Sequence, residues 1–177
     1  MKRTSDELER RWYVLHTKSR FENVVHDNLK GKRLEAFLPK MTVVSKRKDR
    51  RAMIKAPVFP GYVFVRTDLD PREHVEILKT TGAVKLIGVQ AGPVPVPESQ
   101  IESIRIMTAA EAQIHTGDRF RPGQQIMVMS GPFAGVAGSF VRHGAVGRVV
   151  VYIQVLGRFA AVEVEEDEVE ILPDKPF

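Results

Sequence analysis

Apolar and polar positions along this 177-residue chain change rhythm several times, and each change marks an element. Trp12-Tyr13-Val14-Leu15-His16-Thr17 is aromatic and β-branched, which predicts a strand. Ser19-Arg20-Phe21-Glu22 then has the spacing of a capping box, and Phe21, Val24, Val25 and Leu29 recur at helical spacing before Gly31. A strand over 12–17 is therefore expected to feed a helix over 20–30. After a short apolar piece at Glu35–Pro39, Thr42-Val43-Val44 and Met53-Ile54-Lys55 bracket the basic block 46–51, the pattern of a long hairpin with a charged tip. Pro57–Val65 carries three aromatics, Phe59, Tyr62 and Phe64, around Pro60-Gly61. It reads as a tight turn entering a strand that is apolar on both faces. Alternation places Tyr62 and Phe64 on one side of that strand. One face fills the core, and the other needs a cover, either a helix of this chain or another protein.

Asp70-Pro71-Arg72-Glu73 predicts a helix start, with Asp as cap and Pro in the first turn, and Val75 and Leu78 form its apolar stripe. Gly82 ends it, Val84–Val89 reads as a strand, and Glu98–Met107 as a third helix with Ile101 and Ile104 inward. From residue 119 on, short valine- and isoleucine-rich runs alternate with glycines, the pattern of five short strands in a small barrel. The expected fold class is α+β. It comprises a mixed antiparallel sheet flanked by helices over 10–107, a linker at 108–118, and a small five-stranded, SH3-like β-barrel over 119–173.

Charge is uneven in a way that bears on partners. Residues 1–107 hold 21 Lys and Arg against 13 Asp and Glu, or +8, whereas residues 108–177 hold 6 against 9, or −3. The first part suits a polyanion and the second does not. There is no cysteine, which excludes disulfides and thiolate metal sites and fits a cytoplasmic setting. Neither a signal core nor a run of eighteen apolar residues occurs, so no membrane role is expected.

Trp12-Tyr13-Val14-Leu15, Phe59-Pro60-Gly61-Tyr62-Val63-Phe64-Val65, Gly82-Ala83-Val84 and Ile87-Gly88 resemble the N-terminal domain of the NusG family of transcription elongation factors. Gly117-Asp118, Val128, Ser130–Gly135, Gly138, Leu156-Gly157-Arg158 and Val162-Glu163-Val164 resemble its C-terminal KOW domain. Over residues 11–172 the resemblance implies a monomeric factor that rides on RNA polymerase and modulates pausing and termination. Its docking patch on the β′ clamp helices would comprise Phe59, Tyr62, Phe64, Leu86, Val89 and His16, and the alternative for each is an ordinary core role. Lys18, Arg20 and Asn23 would meet the non-template DNA strand, or else form a solvated face. The surroundings of His74 correspond to a contact with the β gate loop. Phe133, Leu156 and Arg158 would face the partner of the KOW domain, either the ribosomal protein NusE or the terminator Rho. Both a general factor and an operon-specific paralogue fit.

An enzyme reading fails on chemistry. No phosphate-cradling loop is present, and His16, His26, His74, His115 and His143 lack metal-ligand spacing, so neither a catalytic residue nor a cofactor or metal is expected. Two rivals remain open. An RNA-binding or ribosome-associated KOW protein would want a basic barrel, and a structural adaptor would bind polymerase without need of the DNA bubble.

Overall fold

The structure is a computed structural model that describes residues 9–47, 52–119 and 121–173. The chain runs β1 (Arg11–Thr17), α1 (Glu22–Gly31), β2 (Glu35–Phe37), β3 (Lys40–Val44), β4 (Met53–Pro57), β5 (Tyr62–Thr67), α2 (Pro71–Leu78) and β6 (Ala83–Leu86). It continues through β7 (Gly88–Val89), β8 (Gly92–Pro93), α3 (Glu98–Ala109), β9 (His115–Gly117) and β10 (Gln125–Val128). The remaining strands are β11 (Ala137–His143), β12 (Val146–Ile153), β13 (Arg158–Val164) and β14 (Val169–Ile171). Two compact units result, Met1–Leu38 with Phe59–Glu98 and Pro39–Val58 with Ser99–Phe177. These units differ from the division expected from sequence. Residues 39–58 and nearly all of α3 group with the C-terminal sheet, and the stretch 108–118 holds the end of α3 and β9.

In the first unit β2, β5, β1 and β6 form an antiparallel sheet in that order. Tyr13, Leu15, Val63 and Val65 point to one face and pack with Val25 and Leu29 of α1 and Ile77 of α2, all buried. This cluster is the driving force for the unit, because each such side chain removed from water contributes about 1.5–3 kcal/mol. Which helix positions point inward differs from the expected stripes. Val24, Val75 and Leu78 are exposed, whereas Glu22 and Ile77 are buried. The Asp70 cap forms as expected, its Oδ1 accepting from Arg72 N at 3.0 Å.

Asp68 supports the same helix start, accepting from Asp70 N at 2.9 Å with the Arg10 guanidinium 4.0 Å away. The Asp70 amide chiefly, and then Arg10, hold the Asp68 carboxyl below the usual carboxylate range against the opposing effect of burial. A carboxyl with a depressed folded pKa stabilises the fold above its unfolded value, about 3.9, and that contribution is lost as pH falls through the folded pKa. Thermal melts from pH 7 to pH 3 are thus expected to show a decline on acidification that is shallower in Asp68→Asn. Identical slopes would remove Asp68 from the account.

The second unit holds an antiparallel sheet ordered β14-β10-β11-β12-β13-β9 and the β3–β4 hairpin. The hairpin expected over 41–55 is present, although Lys48–Arg51 of its tip lie outside the described residues. Five of the six sheet strands fall where short strands are expected, and β9 adds a sixth from the segment expected to be a linker. Its interior is made by Ile126, Val128, Val149, Ile153, Ala160 and Val162, all buried. The glycine- and β-branched-rich composition that disfavours helix here is satisfied by strand pairing. On α3, the buried Ser103 hydroxyl accepts from Ala137 N at 3.1 Å, so the helix is pinned to the start of β11.

Candidate docking surface and nucleic-acid interface

Register decides which side chains share a surface. Antiparallel pairing of β1 with β5 sets Val14 opposite Phe64 and His16 opposite Tyr62. Alternation then puts Trp12, Val14, His16, Tyr62 and Phe64 on the face away from α1 and α2. Aromatic rings line this face in sequence. Trp12 meets Phe37 edge-on at 6.5 Å, Phe37 stacks on Phe64 at 6.0 Å, and Phe59 meets Phe64 edge-on at 6.1 Å. Beside them the His16 and Tyr62 rings lie 5.4 Å apart.

Burial divides the expected patch. Phe59 and Phe64 are 2% and 0% exposed, so in this structure they take the core role, their rings held in the aromatic row. His16 and Tyr62 are half-buried and present the open end of that row. Leu86 pairs with Leu15 and packs against the helix-side cluster, which places it on the opposite face from Tyr62. Lys85, an exposed residue, is the β6 neighbour of His16, and the register shifts just beyond this pair, between His16 and Thr17. Val89, on the β7–β8 hairpin, is 66% exposed. Hydrophobic spacing gives no sign of Lys85 as a neighbour of His16, which only the cross-strand register reveals.

The basic residues next to this edge sit on a turn and not on a helix. Phe21 N donates to the Lys18 carbonyl at 3.1 Å, and Arg20 has φ +67°. That turn starts α1 at Glu22, so Lys18, Ser19 and Arg20 project ahead of it and are exposed, as is Asn23 in its first turn. The expected Ser19–Glu22 capping box does not form. No side chain caps α1, and Glu22 Oε1 instead accepts from Gly61 N at 2.8 Å. Gly61 and Gly82 have φ of +87° and +91°, and a Cβ at Gly82 would stand 2.5 Å from the Phe21 ring. Glycine is required there on both counts. His74, the expected gate-loop position, is half-buried on α2.

In the second unit Phe133 is 6% exposed in its turn and therefore buried, while Leu156 is half-buried and Arg158 exposed at the β12–β13 hairpin. Gly157 bends that hairpin with φ +62°. Among the described residues no group of three or more His, Asp or Glu is placed to hold a metal ion, and no helix is long and apolar enough to cross a membrane.

Residues 10–105 match the family model described as transcription termination factor NusG. The transcription termination/antitermination protein NusG of Thermus thermophilus is 30% identical, over 89% of this chain and 96% of its own length. The chain belongs to the NusG family. The Bacillus subtilis NusG is 27% identical over 93% of this chain and all of its own. Membership identifies a transcription termination/antitermination factor, a class of regulators and not of enzymes. A solved structure of Thermotoga maritima NusG shares the fold, with a TM-score of 0.51 at 22% identity over 93% of this chain and 98% of its own. The NusG model ends inside α3, whereas the alignments with the full-length relatives extend over the six-stranded sheet as well.

Proposed function

We propose that the chain acts on transcribing RNA polymerase, docking on the β′ clamp helices through the open end of its aromatic face. The observation that carries this reading is the His16–Tyr62 ring pair, half-exposed at the end of a row in which Trp12, Phe59 and Phe64 are buried. Half-exposed aromatics on a rigid support are the usual anchors of an interface, since they bury much area at little entropic cost. Val89 and Lys85 extend the contact, and Phe59 and Phe64 act from beneath by holding the strand. Lys18 and Arg20 lie on the adjoining turn, with Asn23 just beyond it in the first turn of α1, and such exposed cations suit the phosphates of the non-template strand.

In this reading residues 10–107 carry polymerase binding. The C-terminal sheet serves as a KOW domain that recruits NusE or Rho through Leu156 and Arg158, with Phe133 shaping the turn from within. The gate loop of the β subunit would be met near His74. The test is transcription in vitro on a pausing template with the cognate polymerase. Added protein is expected to change pause lifetime, with an effect that weakens as salt rises, and unchanged pausing and termination would refute the function.

A further inference from the structure

We propose that Glu22 is a positioning residue that locks the basic turn 18–20 to the Pro60–Tyr62 turn, so that the cationic and aromatic surfaces act as one rigid unit. The inference rests on the function proposed above, and it concerns a residue that touches neither partner. Glu22 is 8% exposed, yet its carboxylate is not spent on capping its own helix. Its Oε1 accepts from Gly61 N at 2.8 Å, and the Gly61 carbonyl accepts from Thr17 N at 2.8 Å, so the one glycine is gripped from both flanks of the basic turn. Lys18 N donates to the Gly82 carbonyl at 2.8 Å, and the Phe21 ring lies against Gly82, which closes the turn from its other side. Thr17 and Lys18 are thereby held at one end and Phe21 and Glu22 at the other, with Ser19 and Arg20 carried between two anchored ends.

The physical cause is the cost of leaving a part-buried donor without its partner. Gly61 N lies in a glycine-specific turn with φ +87°, and the Glu22 carboxylate is its partner. A carboxylate acceptor makes the stronger, charge-assisted kind of hydrogen bond. With Glu22 in place, Arg20 is held by backbone anchors at a fixed offset from Tyr62, the next residue after Gly61. Without it, the turn and the aromatic edge can move independently, and ordering them on binding costs affinity.

The experiment compares the full-length protein with Glu22→Ala, Glu22→Asp and Glu22→Gln. Each is measured for affinity to cognate polymerase assembled with and without a DNA bubble, and each is combined with Arg20→Ala. Asp withdraws the carboxylate by one methylene, whereas Gln keeps an acceptor oxygen at full reach. The wild type is expected to prefer the bubble complex and to lose that preference in Arg20→Ala. In Glu22→Ala and Glu22→Asp the preference is expected to fall about tenfold, with Arg20→Ala adding nothing further, as coupled residues behave. Glu22→Gln is expected to restore it, and affinity for polymerase without a bubble is expected to change much less in all three. Should Glu22→Ala fail to fold, Glu22→Asp carries the comparison. Bubble preference and an Arg20 effect that both survive in Glu22→Asp would overturn the inference, while a wild type without bubble preference would count against the underlying reading of the basic turn.

Discussion

Phe64→Ala is expected to lose about 3–5 kcal/mol of stability, the usual cost of removing a large aromatic from a packed core. Phe64 is fully buried, stacked on Phe37 at 6.0 Å and met edge-on by Phe59 at 6.1 Å. Truncation therefore leaves a void with aromatic walls that cannot close without moving β2 or the Phe59 turn. Since domains of this size hold only about 5–15 kcal/mol in total, the variant keeps a small remainder. Urea denaturation of the full-length protein reads the change, and a loss below about 1 kcal/mol would mean that the aromatic row does not hold the sheet as described.

Tyr62→Ala is expected to do the opposite, sparing the fold and removing the docking. Its ring is half-buried and partnered by His16, and an aromatic pair of that kind contributes about 0.5–1.5 kcal/mol to stability. As an interface anchor the same ring would be worth about 2 kcal/mol or more, which is roughly thirtyfold in affinity. Binding to polymerase is thus expected to drop well beyond any shift in melting, and the effect on pausing to vanish at protein concentrations that saturate the wild type. Equal loss in both measurements would make Tyr62 a folding residue only.

These two residues also show what the sequence makes legible. Alternation along Tyr62–Val65 is enough to place Tyr62 and Phe64 on one side, because a strand has a fixed period of two. It cannot tell that one is sealed and the other open, since that depends on Phe37 and Phe59 arriving from other segments. The Asp70 cap was legible because its acceptor and donors are two and three residues apart. Glu22 was not, because its partner, Gly61, is 39 residues away and the positive φ at Arg20 starts the helix later than its spacing suggests. Leu86, expected in the docking patch, lies on the helix side for a similar reason. Its pairing opposite Leu15 decides its side, and such cross-strand pairing leaves no mark in hydrophobic spacing. β9 is three residues, His-Thr-Gly, with no apolar pattern of its own, and it becomes a strand through pairing with Phe159–Ala161.

The sharpest test of docking through the His16–Tyr62 edge is site-specific photo-crosslinking. A benzophenone side chain placed at position 62 is expected to capture the largest polymerase subunit in a cognate elongation complex, whereas one placed at Val24, exposed on α1, is not. Capture from position 24 with none from position 62 would contradict the account.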